Sequence, residues 1–211
     1  MTYKGVTNAQ LDHLKQMAKG KGVDRTAFQT YGLDGGIIAK AMELIVQASK
    51  PVVQAASNLL RFVTTISVPG VPKFVAKDRF VSSGTITFYL DDNFKTHFLS
   101  KVEENVPAAD LAVHTLTSYS LDEPIRKELG AQREETTLAY LYELLSRQPK
   151  GESGVLLTNG YATIFYIKDA NGKLWAVGVG WDSRYGEWHV RADSITYPDE
   201  WHGGYRVFSR K

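Results

Sequence analysis

Residues 181–211, WDSRYGEWHVRADSITYPDEWHGGYRVFSRK, set polar and aromatic residues between the members of a fixed apolar frame. Trp188, Val190, Ala192, Ser194, Trp201, Val207 and Phe208 make that frame. From Trp188 the run WHVRADSI has the period of two of a half-buried strand. It predicts Val190, Ala192 and Ser194 on one face and His189, Arg191 and Asp193 on the other. The interleaved residues suit contact: Tyr and Trp give large area at low entropic cost, Arg gives forked hydrogen bonds, and Gly and Ser leave room for adaptation. On period alone, however, polar residues on the solvent face of a two-sided strand are expected without any function.

Upstream, the chain changes character at Ser67 to Pro72, SVPGVP, where two prolines around a glycine mark a candidate boundary. Before it the apolar spacing predicts helices. One starts from an N-cap at Asn8 and ends at Gly20, a short turn follows Asp24, one runs over 37–48, and one begins at Pro51 and carries Leu59, Leu60 and Val63. After it, Phe74 to Phe80, Gly84 to Leu90 and Leu111 to Leu116 read as strands, and Asn93 to Glu104 as a helix or irregular turn. Ser120 with Glu123 and Pro124 signals a helix to Leu129, and Glu134 to Arg147 has leucines along one side. Strands follow at 155–158, 161–168 and 174–181, with Asp169 to Gly172 as a hairpin turn.

The chain has 211 residues, 43% hydrophobic and 11% aromatic, enough for a full core plus a smaller attachment. Net charge is +2, with 13 basic and 7 acidic residues to Lys101 and 12 and 16 beyond, an asymmetry too mild for a nucleic-acid footprint. The absence of cysteine excludes disulfides, thiolate metal sites and thiol nucleophiles. No secretory signal and no stretch of membrane-spanning length is read in the sequence, so no membrane span is expected. Cytoplasmic, cell-surface and virion-associated locations stay open.

The terminal segment resembles the variable region of the target proteins of diversity-generating retroelements. The matching pattern is W-x-V-x-A-x-S, a Pro, a second W, and G-x-R-V-F-S-R, here Trp188 to Ser194, Pro198, Trp201 and Gly204 to Arg210. The resemblance is strongest over about the last sixty residues, looser from Lys73 and absent from the N-terminal third. In that family, adenine-directed mutagenesis rewrites codons into many residues but not Lys, Glu, Gln, Met or Trp. None of those five stands at Asp182, Ser183, Arg184, Tyr185, His189, Arg191, Asp193, Tyr197, His202, Gly203 or Tyr205, the candidate ligand-binding positions. Glu187 and Glu200 would belong to the constant frame. The resemblance implies an α+β, C-type-lectin-like domain of two helices and antiparallel strands over 71–211, with a variable region at about 181–205. A small helical region over 1–70 would precede it.

Catalytic readings have weaker support. Tyr89-Leu90-Asp91-Asp92 has the form of a polymerase metal hairpin but lacks the third carboxylate and the surrounding fold, so a turn or helix cap is expected. His97 and His114 have no ligand spacing, Ser153 in G-E-S-G falls short of a nucleophile elbow, and Gly35-Gly36 lacks a phosphate-loop spacing. The function expected is that of a non-enzymatic binding protein displaying a hypervariable surface to an unknown protein or surface ligand, with no cofactor and no metal. Two alternatives stand beside it. One is a small phage-associated or housekeeping enzyme using His189, His202, Asp182 and Asp193; the other is a structural protein whose N-terminal helices make it a homo-oligomer.

Overall fold

The segment LRFVTTISV contains five β-branched residues, and Leu60–Val68 is a strand, β1, rather than the end of a helix begun at Pro51. Stiff, branched side chains fit a pleated surface better than a helix, and β1 gains backbone pairing along its length with Ala109–Leu116 (β5). The part of the region expected to be helical over 1–70 that lies at Leu60–Val68 is therefore a strand of the sheet. The structure, a computed structural model, describes residues 59–82 and 85–211. The helices expected at 8–20, 25–30 and 37–48, and the start of the one at Pro51, lie outside the described residues.

Pro69 and Gly70 turn the chain from β1 into β2 (Val71–Val75), which pairs antiparallel with β4 (Val102–Val106) in a sheet of two strands. The strand expected over 74–80 ends early, because Ala76–Arg79 forms a short helix, α1. Between lie β3 (Phe88–Leu90) and α2 (Asp92–Phe98). Asp91 caps α2, its carboxylate accepting from Phe94 N at 2.6 Å, and also accepts from Ala192 N at 3.3 Å. One half of the Tyr89–Asp92 motif thus serves as a cap.

After β5 come α3 (Asp122–Leu129), β6 (Glu135–Thr136) and α4 (Leu138–Arg147). The first-turn N–H groups of α4 are satisfied by Thr137, whose hydroxyl accepts from Tyr140 N. Buried Glu103 accepts from Leu138 N and Ala139 N at 3.0 and 2.9 Å. The strand expected at 155–158 is irregular. Gln148 takes the pairing there, its Oε1 accepting from Leu156 N and its Nε2 donating to Leu156 O. The chain then runs through β7 (Thr163–Lys168), the predicted turn at Asp169 to Gly172, β8 (Leu174–Asp182), β9 (Glu187–Ser194) and β10 (Arg206–Arg210).

The fold of the described residues is mixed α+β, mostly strands with four helices. Its eight-stranded sheet has the order β1-β5-β10-β7-β8-β9-β3, with β6 beside β7. One face carries the main core, where α4, α2 and an aromatic cluster around Phe80, Phe94 and Tyr142 cover Phe165, Val177, Trp188, Val190 and Phe208. The other face is covered in part by α3, through Ile125 and Leu129 against Leu116, Ile164, Tyr166 and Val207. Beyond α3 that second face opens toward the C-terminal segment.

Candidate functional site

Strand β9 alternates as its sequence predicts. Trp188, Val190 and Ala192 are fully buried and Ser194 is half-buried, while His189 and Arg191 point outward and Asp193 is half-buried. Trp188 is fixed by packing edge-on to Trp181, ring centres 5.5 Å apart, and by donating from Nε1 to Gln148 O at 2.9 Å. Opposite the outward side chains, β8 supplies glycines: Gly180 faces His189 and Gly178 faces Arg191. The missing side chain at Gly180 leaves a depression in the sheet surface, whereas the space over Gly178 is taken by Arg191 and Trp201.

That depression is a groove of about 670 Å³ lined by Gly180, residues 158–160, Trp181 to Arg184 and His189. Of the candidate contact positions, Asp182, Ser183, Arg184 and His189 line it. Asp182 shapes the β8–β9 turn, accepting from the Arg184 backbone N at 2.8 Å and from its guanidinium at 3.0 Å. The guanidinium holds the Asp182 carboxyl below the usual carboxylate range. His189 Nε2 lies 3.2 Å from Glu187 and 3.9 Å from Asp182, under the Tyr89 ring at 4.7 Å. Tyr185 is the most exposed large hydrophobic residue among the described residues, at 72%.

A second, smaller cavity of about 70 Å³ gathers Arg191, Asp193 and Tyr197 around Trp201, with Asp122, Asp199 and Glu200. The Arg191 guanidinium lies 4.9 Å over the Trp201 ring, and its Nε is 3.0 Å from Asp193. Trp201 is the anchor. Its backbone exchanges two hydrogen bonds with Ser120, and its indole Nε1 donates to Asp122 Oδ1, which also accepts from Tyr166 OH at 2.7 Å. Burial raises the pKa of Asp122 against the effect of those two hydrogen bonds, and burial raises that of Asp193 against the attraction of Arg191.

A third group is an aromatic ladder: Tyr119 on His202 at 4.7 Å, His202 on Tyr205 at 5.6 Å, and Tyr205 against Tyr161 at 5.6 Å. Gly203, expected as a contact position, is half-buried. A Cβ there would lie 3.3 Å from Ser118 Cα, so the position backs onto another segment of main chain. Spacing within residues 181–211 misses Tyr89, Tyr119, Tyr161 and Asp122, which come from distant segments. Their only sequence signal is that tyrosines sit at strand ends and in loops, which is too common to select them.

Chemically, the surface offers aromatic faces, hydroxyls and paired charges. His189, His202, Asp182 and Asp193, the candidate catalytic set, fall into three neighbourhoods: His189 with Asp182, His202 between tyrosines, and Asp193 with Arg191. Among the described residues no group of three or more His, Asp or Glu side chains is arranged to hold a metal ion. No helix among them is long and apolar enough to cross a membrane. No family model, curated protein or solved structure matches the chain.

Proposed function

We propose that this chain is a ligand-binding protein, a C-type-lectin-like scaffold that displays a diversified surface rewritten by a retroelement. The observation that carries the reading is the division of labour in the terminal segment. Trp188, Val190, Ala192, Val207 and Phe208 are fully buried and Trp201 nearly so, whereas Arg184, Tyr185, Arg191, Tyr197 and His202 are exposed. Exposed positions can change at small cost in stability, and a backbone fixed beneath them lowers the entropy lost on binding.

The element order supports the scaffold half of the proposal. A strand, two helices and then several antiparallel strands with a loop-rich end is the order expected of that fold, and β5, α3, α4 and β7 to β9 agree with it. Such an order occurs in other α+β arrangements as well, so the proposal rests chiefly on the segment.

The test is genetic. A reverse-transcriptase gene beside this one, with a near-copy of its 3′ end differing only at adenines, is the expected finding. Sibling sequences should differ at His189, Arg191, Asp193, Tyr197, His202 and Tyr205 while keeping Trp188, Val190, Ala192 and Trp201. Variation scattered equally over both sets would sink the reading.

A further inference from the structure

Among the described residues, three exposed tyrosines lie outside the terminal segment, on three separate elements, and each is set against a candidate variable residue. Tyr89 on β3 is 53% exposed and meets His189; Tyr119, between β5 and α3, is 61% exposed and meets His202; Tyr161, before β7, is 46% exposed and meets Tyr205. Their backbones are held. Tyr89 is in register with His189, Tyr119 precedes the Ser120 pairing with Trp201, and the Tyr161 ring lies so close to Gly204 that a Cβ there would come within 2.7 Å of it.

We propose that Tyr89, Tyr119 and Tyr161 are constant anchors of the contact surface, and that its ligand is a folded protein presenting cationic side chains. This inference rests on the binding reading above and names its partner. The strand registers pair Tyr89 with His189 and His189 with Gly180, and carried one residue past the starts of β7 and β10 they bring Ala162 and Tyr205 into the same row. Four steps between neighbouring segments, each ~4.8 Å, make that row about 19 Å long. Tyr119 and His202 extend the aromatic surface beyond Tyr205. A surface of this breadth suits a protein face, where about 800 Å² per partner is usual and tyrosine is enriched, better than it suits a small molecule. The Gly180 groove in its middle would take a protruding partner side chain.

Charge selects the partner's chemistry. Arg184 and Arg191, the arginines of this face, are already paired with Asp182 and Asp193, and Glu187 faces His189. Asp199 and Glu200 are exposed and make no ion pair among the described residues, so the rim retains an excess of carboxylates. A partner face bearing Lys or Arg meets that excess.

The experiment is display of the full chain on yeast with Tyr185, His189, Arg191, His202 and Tyr205 randomised, and selection against lysozyme, a small basic protein. A parallel library carries Tyr89→Ala, Tyr119→Ala and Tyr161→Ala. Binders should arise with the tyrosines present. Replacing the three tyrosines in selected clones should weaken binding ~10-fold or more without moving the thermal midpoint. If the triple variant unfolds, the three single substitutions, read separately, decide the same question. Clones that keep their affinity without the tyrosines overturn the anchor assignment and leave the binding reading intact. Enrichment against an acidic protein of similar size but not against lysozyme overturns the cationic partner. Failure of both libraries against every probe overturns the binding reading itself.

Discussion

Trp201 Nε1 donates a 2.8 Å hydrogen bond to Asp122 Oδ1, joining two buried residues 79 positions apart. Tyr166 donates to the same oxygen, and the Trp201 backbone pairs with Ser120. The link between β9 and β10, which carries Tyr197, His202 and Tyr205, is therefore tied down near its middle. This arrangement lets an irregular, exposed segment keep one backbone path while its side chains differ.

Trp201→Ala should destabilise the protein by about 3–5 kcal/mol, because a buried aromatic ring and its hydrogen bond are both lost. Trp201→Phe retains most of the ring and removes only the donor, so its cost should be nearer 1–2 kcal/mol. Denaturant unfolding at neutral pH measures both. Equal costs would mean that the indole N–H, and not packing, carries the anchor.

The pH dependence of Asp122 follows from its raised pKa. A carboxyl whose folded pKa exceeds its unfolded value of about 3.9 is bound to its proton more tightly in the folded state. Its contribution is most favourable below the unfolded value and declines as pH rises through the folded one. Asp122→Asn has no charge to desolvate and keeps an acceptor oxygen for Trp201 and Tyr166. Its stability relative to the parent should therefore improve from about pH 4 to pH 7, as paired denaturation curves would show. A constant difference across that range would mean that Asp122 titrates alike in both states.

Outward and inward positions of the terminal segment should separate cleanly in stability. Arg184→Ala, Tyr185→Ala and His189→Ala should each change the unfolding free energy by no more than about 0.5 kcal/mol. Trp188→Ala should cost about 3–5 kcal/mol. A costly His189→Ala would show that its contacts with Glu187 and Tyr89 support the fold and not a ligand.

Two glycines should resist substitution for different reasons. At Gly151, φ is +72° and an added Cβ would lie 2.2 Å from the Trp181 ring, so Gly151→Ala should lose roughly 2–4 kcal/mol. At Gly203, Ala should cost ~1 kcal/mol and Tyr considerably more, because main chain blocks the side chain. Thermal unfolding of the variants decides both, and a stable Gly203→Tyr protein would show that the position accepts a large side chain.

Alternation in β9 was legible in the sequence because a period of two is a local property. Once Trp188, Val190 and Ala192 are buried, the pleat alone turns His189 and Arg191 outward. Frame residues Trp201, Val207 and Phe208 were legible as large apolar side chains and not by alternation, since Val207 and Phe208 are adjacent and enter the cores on opposite faces of the sheet. The Asp169 to Gly172 turn and the helices ending at Leu129 and Arg147 were legible from local signals as well. Local reasoning failed where two periods fit one stretch. Leu59, Leu60 and Val63 satisfy helical spacing, but pairing of β1 with β5, some fifty residues away along the chain, made Leu60–Val68 a strand. It also failed wherever a role depends on a neighbour distant in sequence. Nothing beside Tyr89, Tyr119 or Tyr161 marks it as a partner of His189, His202 or Tyr205. Gly203 has little room for a side chain only because Ser118 lies behind it, and Asp122 is an anchor only because Trp201 and Tyr166 reach it. Periodicity decides which way a side chain points; strand register and loop closure decide what it meets there.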